Sequence, residues 1–397
     1  MNRRKGVTPE SAVKLCCEKV GPGDIEEIKL TNAVSRVCAQ SIIALADIPD
    51  FKRSMVDGYV ISIDDVRKGI NRLKVTAVIP AGYGEEITLK AGQCARIMTG
   101  APIPRQAAAV IKQEDVKNES DTITFTRAIN DNENIQFPGS RFKKGQILVS
   151  AGQELSPQKI EVLAAAGIVK IPAYRLPRIY IINTGSETIM PGNHLTKGKI
   201  YQSNHALLFS KVSCAGCEAP MGSGATRDDI SQISMEIETG LRLADVIIIT
   251  GGTSGGDYDL VLPSLEQNDT ELLFTSIKTR PGKNVTAAVK KGKLILNLPG
   301  NPGAVNILFD ALIAPVIKKT KGIEEYENKW ISIKLSDPVS RIKSQRTLIQ
   351  AELIEHKTEL MARPLRKNHD FTGIKSMIID LKPGQGREGE IVRGLIL

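Results

Sequence analysis

Residues 250–259 read T-G-G-T-S-G-G-D-Y-D. The run follows the apolar, β-branched stretch A-D-V-I-I-I (244–249) and precedes L-V-L-P-S-L-E, which can open a helix. A glycine-rich loop between strand and helix offers backbone N–H groups to an anion. This loop ends in Asp257 and Asp259, so a phosphate alone does not account for it. Two more loops follow strand-like runs: N-T-G-S-E (183–187) and N-L-P-G-N-P-G (297–303). Parallel strands present their C-terminal ends on one edge, where ligands bind. The three loops are therefore expected to converge.

Cations and acids are both at hand. K-T-R-P-G-K (278–283) places Lys278, Arg280 and Lys283 around a Pro-Gly turn. A charge-assisted hydrogen bond contributes about 1.5–3 kcal/mol, a helix N-terminus only about 0.3–1 kcal/mol. A tight phosphate site needs such side chains, and a solvated basic turn is the alternative. Glu187, Asp228, Asp257 and Asp259 need another partner: Mg²⁺ beside a phosphate, or the N–H edge of a heterocycle. Solvation is the alternative for each, and helix capping for Asp228. The signature G-x-x-x-x-G-K-[ST] is absent, and G-x-G-x-x-G is absent from the first strand–helix turn, so NTPase and dehydrogenase readings do not fit. Cys214-Ala-Gly-Cys217 has the spacing of half a zinc site without its second pair. It reads as a helix ending at Gly216.

These residues need a scaffold. Residues 178–322 alternate strand and helix patterns: R-I-Y-I-I-N, a helix over 203–213, another over 228–237, A-D-V-I-I-I, K-L-I-L-N, and a closing helix from Ala304. Such alternation predicts a parallel α/β sheet. Short β-forming runs bounded by Gly and Pro predict a small β domain over 45–145. Residues 329 onward predict a last β-barrel or sandwich. Thr8 and Pro9 mark a helix start, and 28–37 continues its pattern. Ser156, Pro157 and Gly167 bound a second helix, and P-A-Y-R-L-P (172–177) reads as a linker. The expected organisation is 1–44 plus 146–175 as a helical and linker unit, 45–145 as the β domain, 176–327 as the α/β domain and 328–397 as the final β domain.

Bulk composition bounds the function. At 397 residues, 41% hydrophobic and 24% charged, the chain is an ordinary multidomain globular protein. No run reaches the roughly 18 apolar residues of a membrane span, and the basic N-terminus lacks an apolar core after it. A cytoplasmic location is expected. The net charge of +9 suits a polyanionic small ligand. With 4% aromatics and no long basic–aromatic tract, nucleic acid is not the expected partner.

F-K-R-S-M-V-D-G-Y-V (51–60), R-I-M-T-G-A-P-I-P (96–104), N-T-G-S-E, T-G-G-T-S-G-G-D-Y-D and L-P-G-N-P-G together resemble the molybdopterin molybdenumtransferase family, in order and over essentially the whole chain. The resemblance implies insertion of molybdenum from molybdate into the dithiolene of adenylylated molybdopterin with Mg²⁺. It implies an elongated homodimer of four-domain subunits, whose cleft lies between one subunit's β domain and its partner's last two domains. A molybdopterin adenylyltransferase is an implied partner. Asp57 and Thr99 would come from one chain; Glu187, Asp228, Asp259, Arg280 and Lys283 from the other, with Arg346 and Thr372 from the last domain. Thr184, Gly185, Gly251, Gly252, Ser254, Gly256, Pro299, Gly300, Asn301 and Pro302 would bind the substrate, the glycines cradling the pterin phosphate, and Asp257 and Asp259 would hold the metal or the pterin ring edge.

Two stretches depart from the family pattern. N-I-Q-F-P-G-S-R (134–141) stands where the family has N-I-R-x-x-G-E-D, and T-G-S-E where members have T-G-D-E. Gln136 replaces an arginine, and Ser140-Arg141 an acidic pair. Arg141 is expected to meet an anion in the cleft, or else to face solvent. A non-catalytic pterin-binding or scaffold relative is the alternative function. Asp57 and Thr99 argue against a third reading, an enzyme that adenylylates the pterin.

Overall fold

The computed structural model describes residues 6–82, 87–254, 258–339, 344–356, 358–365 and 376–397. Helix α1 (Pro9–Cys17) starts as its sequence predicts: Thr8 Oγ1 accepts from Ser11 N at 3.2 Å and Pro9 fills the first turn. It then stops. Residues 28–37 do not continue it; Ile25–Lys29 is a strand, antiparallel to Lys170–Tyr174. The expected linker 172–177 therefore begins inside a strand. Pro172 is tolerated there because a two-stranded sheet is all edge, and an edge position needs no N–H donor.

Helix α2 (Pro157–Ala165), capped by Ser156, packs with these strands around Leu30, Cys38, Leu155, Leu163 and Ile171. Helix α1 does not join that core. Ala12, Cys16 and Cys17 pack instead with Ile181, Phe274 and Phe309 of the α/β domain. The first unit thus gives up its N-terminal helix to a domain that starts about 165 residues later in the sequence, a long-range contact that local pattern does not encode.

The β domain is a six-stranded sheet. Along its strand Gly58–Ser62, Tyr59 and Ile61 enter one apolar cluster and Val60 the other, the period-two alternation of a strand buried on both faces.

The α/β domain holds β1 (Ile179–Thr184), α3 (Ser203–Cys214), β2 (Met221–Thr226), α4 (Ile230–Leu243), β3 (Val246–Thr250), α5 (Val261–Gln267), β4 (Glu271–Phe274), β5 (Thr286–Lys290) and β6 (Lys293–Leu298). Sheet order is β2-β1-β3-β6-β5-β4. The first four are parallel; β5 and β4 add an antiparallel edge that the strand–helix count did not predict. Ile181 and Ile248 face one helical layer, Ile182 and Ile249 the other, which is why these strands are apolar without a break. The chain leaves β1 toward β2 on one side and returns to β3 on the other. Order therefore reverses between β1 and β3, where such sheets open a crevice.

The expected closing helix is two, α6 (Pro302–Leu308) and α7 (Ala314–Thr320), joined by a π-helical turn over Phe309–Ile313. Pro315 has no N–H for the carbonyl of Ala311 four residues back. Asn328 Nδ2 serves there instead, donating to Asp310 O at 2.9 Å and Ala311 O at 3.4 Å. The last domain is a closed five-stranded barrel of β7 (Ile331–Leu335), β8 (Thr347–His356), β9 (Glu359–Pro364), β10 (Ser376–Leu381) and β11 (Ile391–Ile396). The backbone of the 278–283 turn is stitched to it: Arg280 N donates to Arg346 O and Leu348 N to Arg280 O.

Candidate functional site

A cavity of about 550 Å³ opens at the reversal point between β1 and β3. Thr184 ends β1, Gly185 and Glu187 come from the loop after it, Gly251 and Gly252 from that after β3, Gly300 and Pro302 from that after β6. The three loops converge, as their place on parallel strands requires. Gly251 is needed for the closure: its φ is +93°, and a β-carbon there would stand 2.6 Å from the carbonyl oxygen of Thr184.

A polar chain floors these loops. Thr250 Oγ1 donates to Asn183 Oδ1 at 2.9 Å, and Asn183 Nδ2 lies 3.0 Å from His205 Nδ1. Because the Asn183 oxygen is taken by a hydroxyl donor, its amide nitrogen donates to His205, which places the imidazole proton on Nε2. Burial lowers the basicity of His205 further. Asn204 Nδ2 donates to Gly300 O at 2.8 Å and ties the start of α3 to the third loop. Neither Asn183, Asn204 nor His205 was singled out from the sequence. The sign available was S-N-H at a helix start, directly behind the loop after β1.

Asp228 lines the cavity. It is not the cap of α4, which is Asp229: Asp229 Oδ1 accepts from Gln232 N at 3.0 Å. Asp228 Oδ2 instead accepts from Ser186 N at 2.7 Å, while Asp228 N donates to Ser186 Oγ at 3.2 Å. The Glu187 carboxylate folds back over Gly185, 3.0 Å from where a β-carbon would sit. Among the described residues no lysine or arginine lines the cavity.

Other sequence-singled residues lie elsewhere. Arg280 and Lys283 are exposed and do not line the cavity, and the Arg280 backbone bonds to the barrel. Asn301 is committed to capping: its Oδ1 accepts from Ala304 N at 3.1 Å, with Pro302 at the first turn of α6. Pro299 follows β6 without reaching the cavity. For Ser254 and Asp259 the structure gives a backbone pairing, Thr253 with Asp259 and Ser254 with Tyr258. Gly256, Asp257 and Thr372 lie outside the described residues.

Arg346, expected at the substrate, is paired within the chain. Both edges of its guanidinium are engaged inside the chain. Nε and Nη2 donate to Asp380 at 2.9 and 2.6 Å; Nη1 and Nη2 donate to Glu10 at 2.9 and 2.5 Å. Arg393 joins at 3.2 Å to Glu10 and lies 5.0 Å over the Trp330 ring. This network fastens α1 to the barrel and leaves Arg346 no free edge for a ligand.

Asp57 and Thr99 are brought together in the β domain. Asp57 Oδ1 accepts from Thr99 N at 2.7 Å and Thr99 Oγ1 at 2.9 Å. These bonds, the amide first, hold the Asp57 carboxyl below its ordinary range. Within one chain the pair is not part of the cavity, whose described lining is all from the α/β domain. The altered loop also resolves. Gln136 Oε1 accepts from Arg53 Nε at 2.7 Å. Within the chain Arg141 pairs with the Glu161 carboxylate of α2 at 2.6 Å and stacks over Phe142 at 5.2 Å.

Four parallel strands with a crevice at their reversal point, lined by glycines and carboxylates, define a ligand-binding α/β domain, here carried between a β domain and a barrel. Family models agree. One described as the MoeA N-terminal region, domains I and II, matches residues 7–167, and a probable molybdopterin binding domain matches residues 180–319. The molybdopterin molybdenumtransferase of Nostoc sp. is 31% identical over 338 residues, 83% of this chain and 77% of that protein. That of Haemophilus influenzae is 30% identical over 82% of this chain and 81% of its own length. The crystal structure of the molybdopterin biosynthesis MoeA protein from Pyrococcus horikoshii superposes with a TM-score of 0.81 at 28% identity, covering 99% of this chain and all of that one. The chain belongs to the molybdopterin molybdenumtransferase family.

Proposed function

We propose that the protein is a transferase that inserts molybdenum from molybdate into the dithiolene of molybdopterin, in molybdenum cofactor biosynthesis. The observation that carries this reading is the cavity itself: Thr184, Gly185, Gly251 and Gly300 present backbone at the ends of three strands, and Glu187 and Asp228 present carboxylates beside them. Support comes also from relatives of that name that match most of the chain.

Adenylylated molybdopterin is the substrate form this reading takes, with Mg²⁺. Among the described residues no three His, Cys, Asp or Glu side chains gather into a metal cage. Mg²⁺ rarely uses such a cage; one or two carboxylates plus substrate phosphates suffice. Glu187 and Asp228 fit that pattern and would hold the ion, with Asp257 and Asp259 as the further acids of the glycine loop. When bound, the ion would neutralise phosphate charge that no cavity-lining lysine or arginine among the described residues offsets. The glycine loops would orient the phosphate through their amides, and the neutral His205–Asn183 chain would keep the floor rigid.

Asp57 and Thr99 would act from a second copy of the chain, so the working form is a homodimer with a cleft between subunits. Arg280, exposed at the barrel junction, and Lys283, exposed in the same turn, would supply cations to that cleft. A molybdopterin adenylyltransferase would deliver the pterin. No described helix is long and apolar enough to cross a membrane, which is compatible with the cytoplasmic location we propose. The test is anaerobic incubation with adenylylated molybdopterin, Mg²⁺ and molybdate, followed by reconstitution of a cofactor-dependent enzyme. Incorporation well above a protein-free control is expected; none above it contradicts the reading.

A further inference from the structure

Two aspartates stand side by side before α4 and do different work. Asp229 supplies the helix cap. Asp228, relieved of that role, turns back to the loop after β1 and exchanges two hydrogen bonds with Ser186: Ser186 N to Asp228 Oδ2 at 2.7 Å, and Asp228 N to Ser186 Oγ at 3.2 Å. The exchange stitches together the loops after two neighbouring parallel strands, β1 and β2. The Lys199 ammonium donates to the Ser186 carbonyl and fixes the loop from its other side.

The two bonds constrain different things. The serine amide anchors one carboxylate oxygen. The serine hydroxyl anchors the Asp228 backbone, and so the origin of that side chain. With both in place the second oxygen, Oδ1, has one direction available. Among the described residues it accepts no hydrogen bond, although Asp228 lines the cavity beside Glu187. A site built to act on a ligand holds its groups through neighbours that do not themselves touch the ligand.

We infer that Ser186 is a positioning residue, which aims the free oxygen of Asp228 into the cavity for the insertion reaction. This rests on the function proposed above. The bond to Asp228 N requires a hydroxyl: threonine retains it, alanine does not. Ser186 and Asp228 are both exposed, so substitution there leaves folding intact, and a loss of turnover reports on aim.

The experiment compares wild type, Ser186→Ala and Ser186→Thr for insertion kinetics, thermal midpoint and amide hydrogen exchange at Asp228. In Ser186→Ala, kcat is expected to fall about tenfold with KM for the pterin within about twofold, as for an interaction felt chiefly beyond the ground state. Exchange at the Asp228 amide should quicken by about tenfold as its acceptor is lost. Ser186→Thr should restore kcat to within about threefold of wild type. A wild-type kcat in Ser186→Ala overturns the inference. So does an equal loss in both variants accompanied by a lower thermal midpoint, which would make the serine a folding element of the loop. Wild-type protein that inserts no molybdenum overturns the proposed function instead. The exchange at Asp228 then still decides the clamp, and an unchanged rate in Ser186→Ala refutes it.

Discussion

Charge gathers in two regions of this molecule, in opposite ways. At the junction of α1 with the barrel, Arg346 and Arg393 meet Glu10 and Asp380, and every member is paired. At the rim of the α/β cavity, among the described residues, Glu187 and one oxygen of Asp228 have no partner and no lysine or arginine lines the space. The first arrangement consumes its charges to fasten domains. The second leaves its carboxylates exposed, where water or a ligand can meet them. An arginine in a barrel beside a ligand-binding domain looks the same in sequence in either case; only its partners tell which it is.

The largest expected effect separates the two regions by stability. Asp380 is almost wholly buried, so Asp380→Asn breaks a buried pair and leaves Arg346 partly uncompensated, which should cost about 3 kcal/mol. Trp330 is the chain's one tryptophan and sits under Arg393, so its fluorescence during urea unfolding reads the junction directly. An unchanged midpoint would mean the network is decorative. Glu187→Gln should do the reverse: insertion slowed about a hundredfold, as when charge stabilisation is withdrawn from a reacting group, with the urea midpoint unmoved. Equal activity would remove Glu187 from the site.

A pH titration sharpens the contrast further. The bond from Arg346 holds the Glu10 carboxyl at about 2, against an ordinary 4.5. A depressed carboxyl contributes stability in full above its unfolded value and loses it as pH falls through the folded one. The Trp330 signal should therefore hold down to about pH 4.5 and change progressively toward 2, a dependence missing from Glu10→Gln. A variant that titrates like wild type would point to another group. The smallest effect belongs to Arg141, whose pair with Glu161 is solvent-exposed; Arg141→Ala should change stability by no more than about 0.5 kcal/mol. A large loss of insertion in that variant would show that the altered 134–141 loop reaches the reaction after all.

Much of the scaffold was legible because local rules and tertiary packing agree. Thr8-Pro9 and Ser156-Pro157 are helix starts in sequence and in structure, and the unbroken apolar runs of β1 and β3 mark strands covered on both faces. Legibility failed where partners are distant. Residues 28–37 follow a helix-like pattern, yet Ile25–Lys29 pairs with a strand some 140 residues on. The packing of α1 on the α/β core, and the antiparallel β5 and β4, likewise depend on contacts that no local period records. The site divided similarly. Glycine loops on strand ends point to Thr184, Gly185 and Gly251 by topology alone. Whether Asp228 or Asp229 caps α4 is a matter of one residue, beyond pattern reading, and the pairing of Arg346 within the chain was not legible because its two acids lie 336 and 34 residues away.

The central claim is that the cavity acids are left unpaired for the reaction. It is tested most directly by the rate at which Asp228→Asn protein inserts molybdenum into adenylylated molybdopterin, measured anaerobically at saturating molybdate and Mg²⁺. The substitution keeps shape and an oxygen for the Ser186 amide while removing the charge. The account predicts a rate about a hundredfold below wild type with the same urea midpoint. A wild-type rate would contradict it.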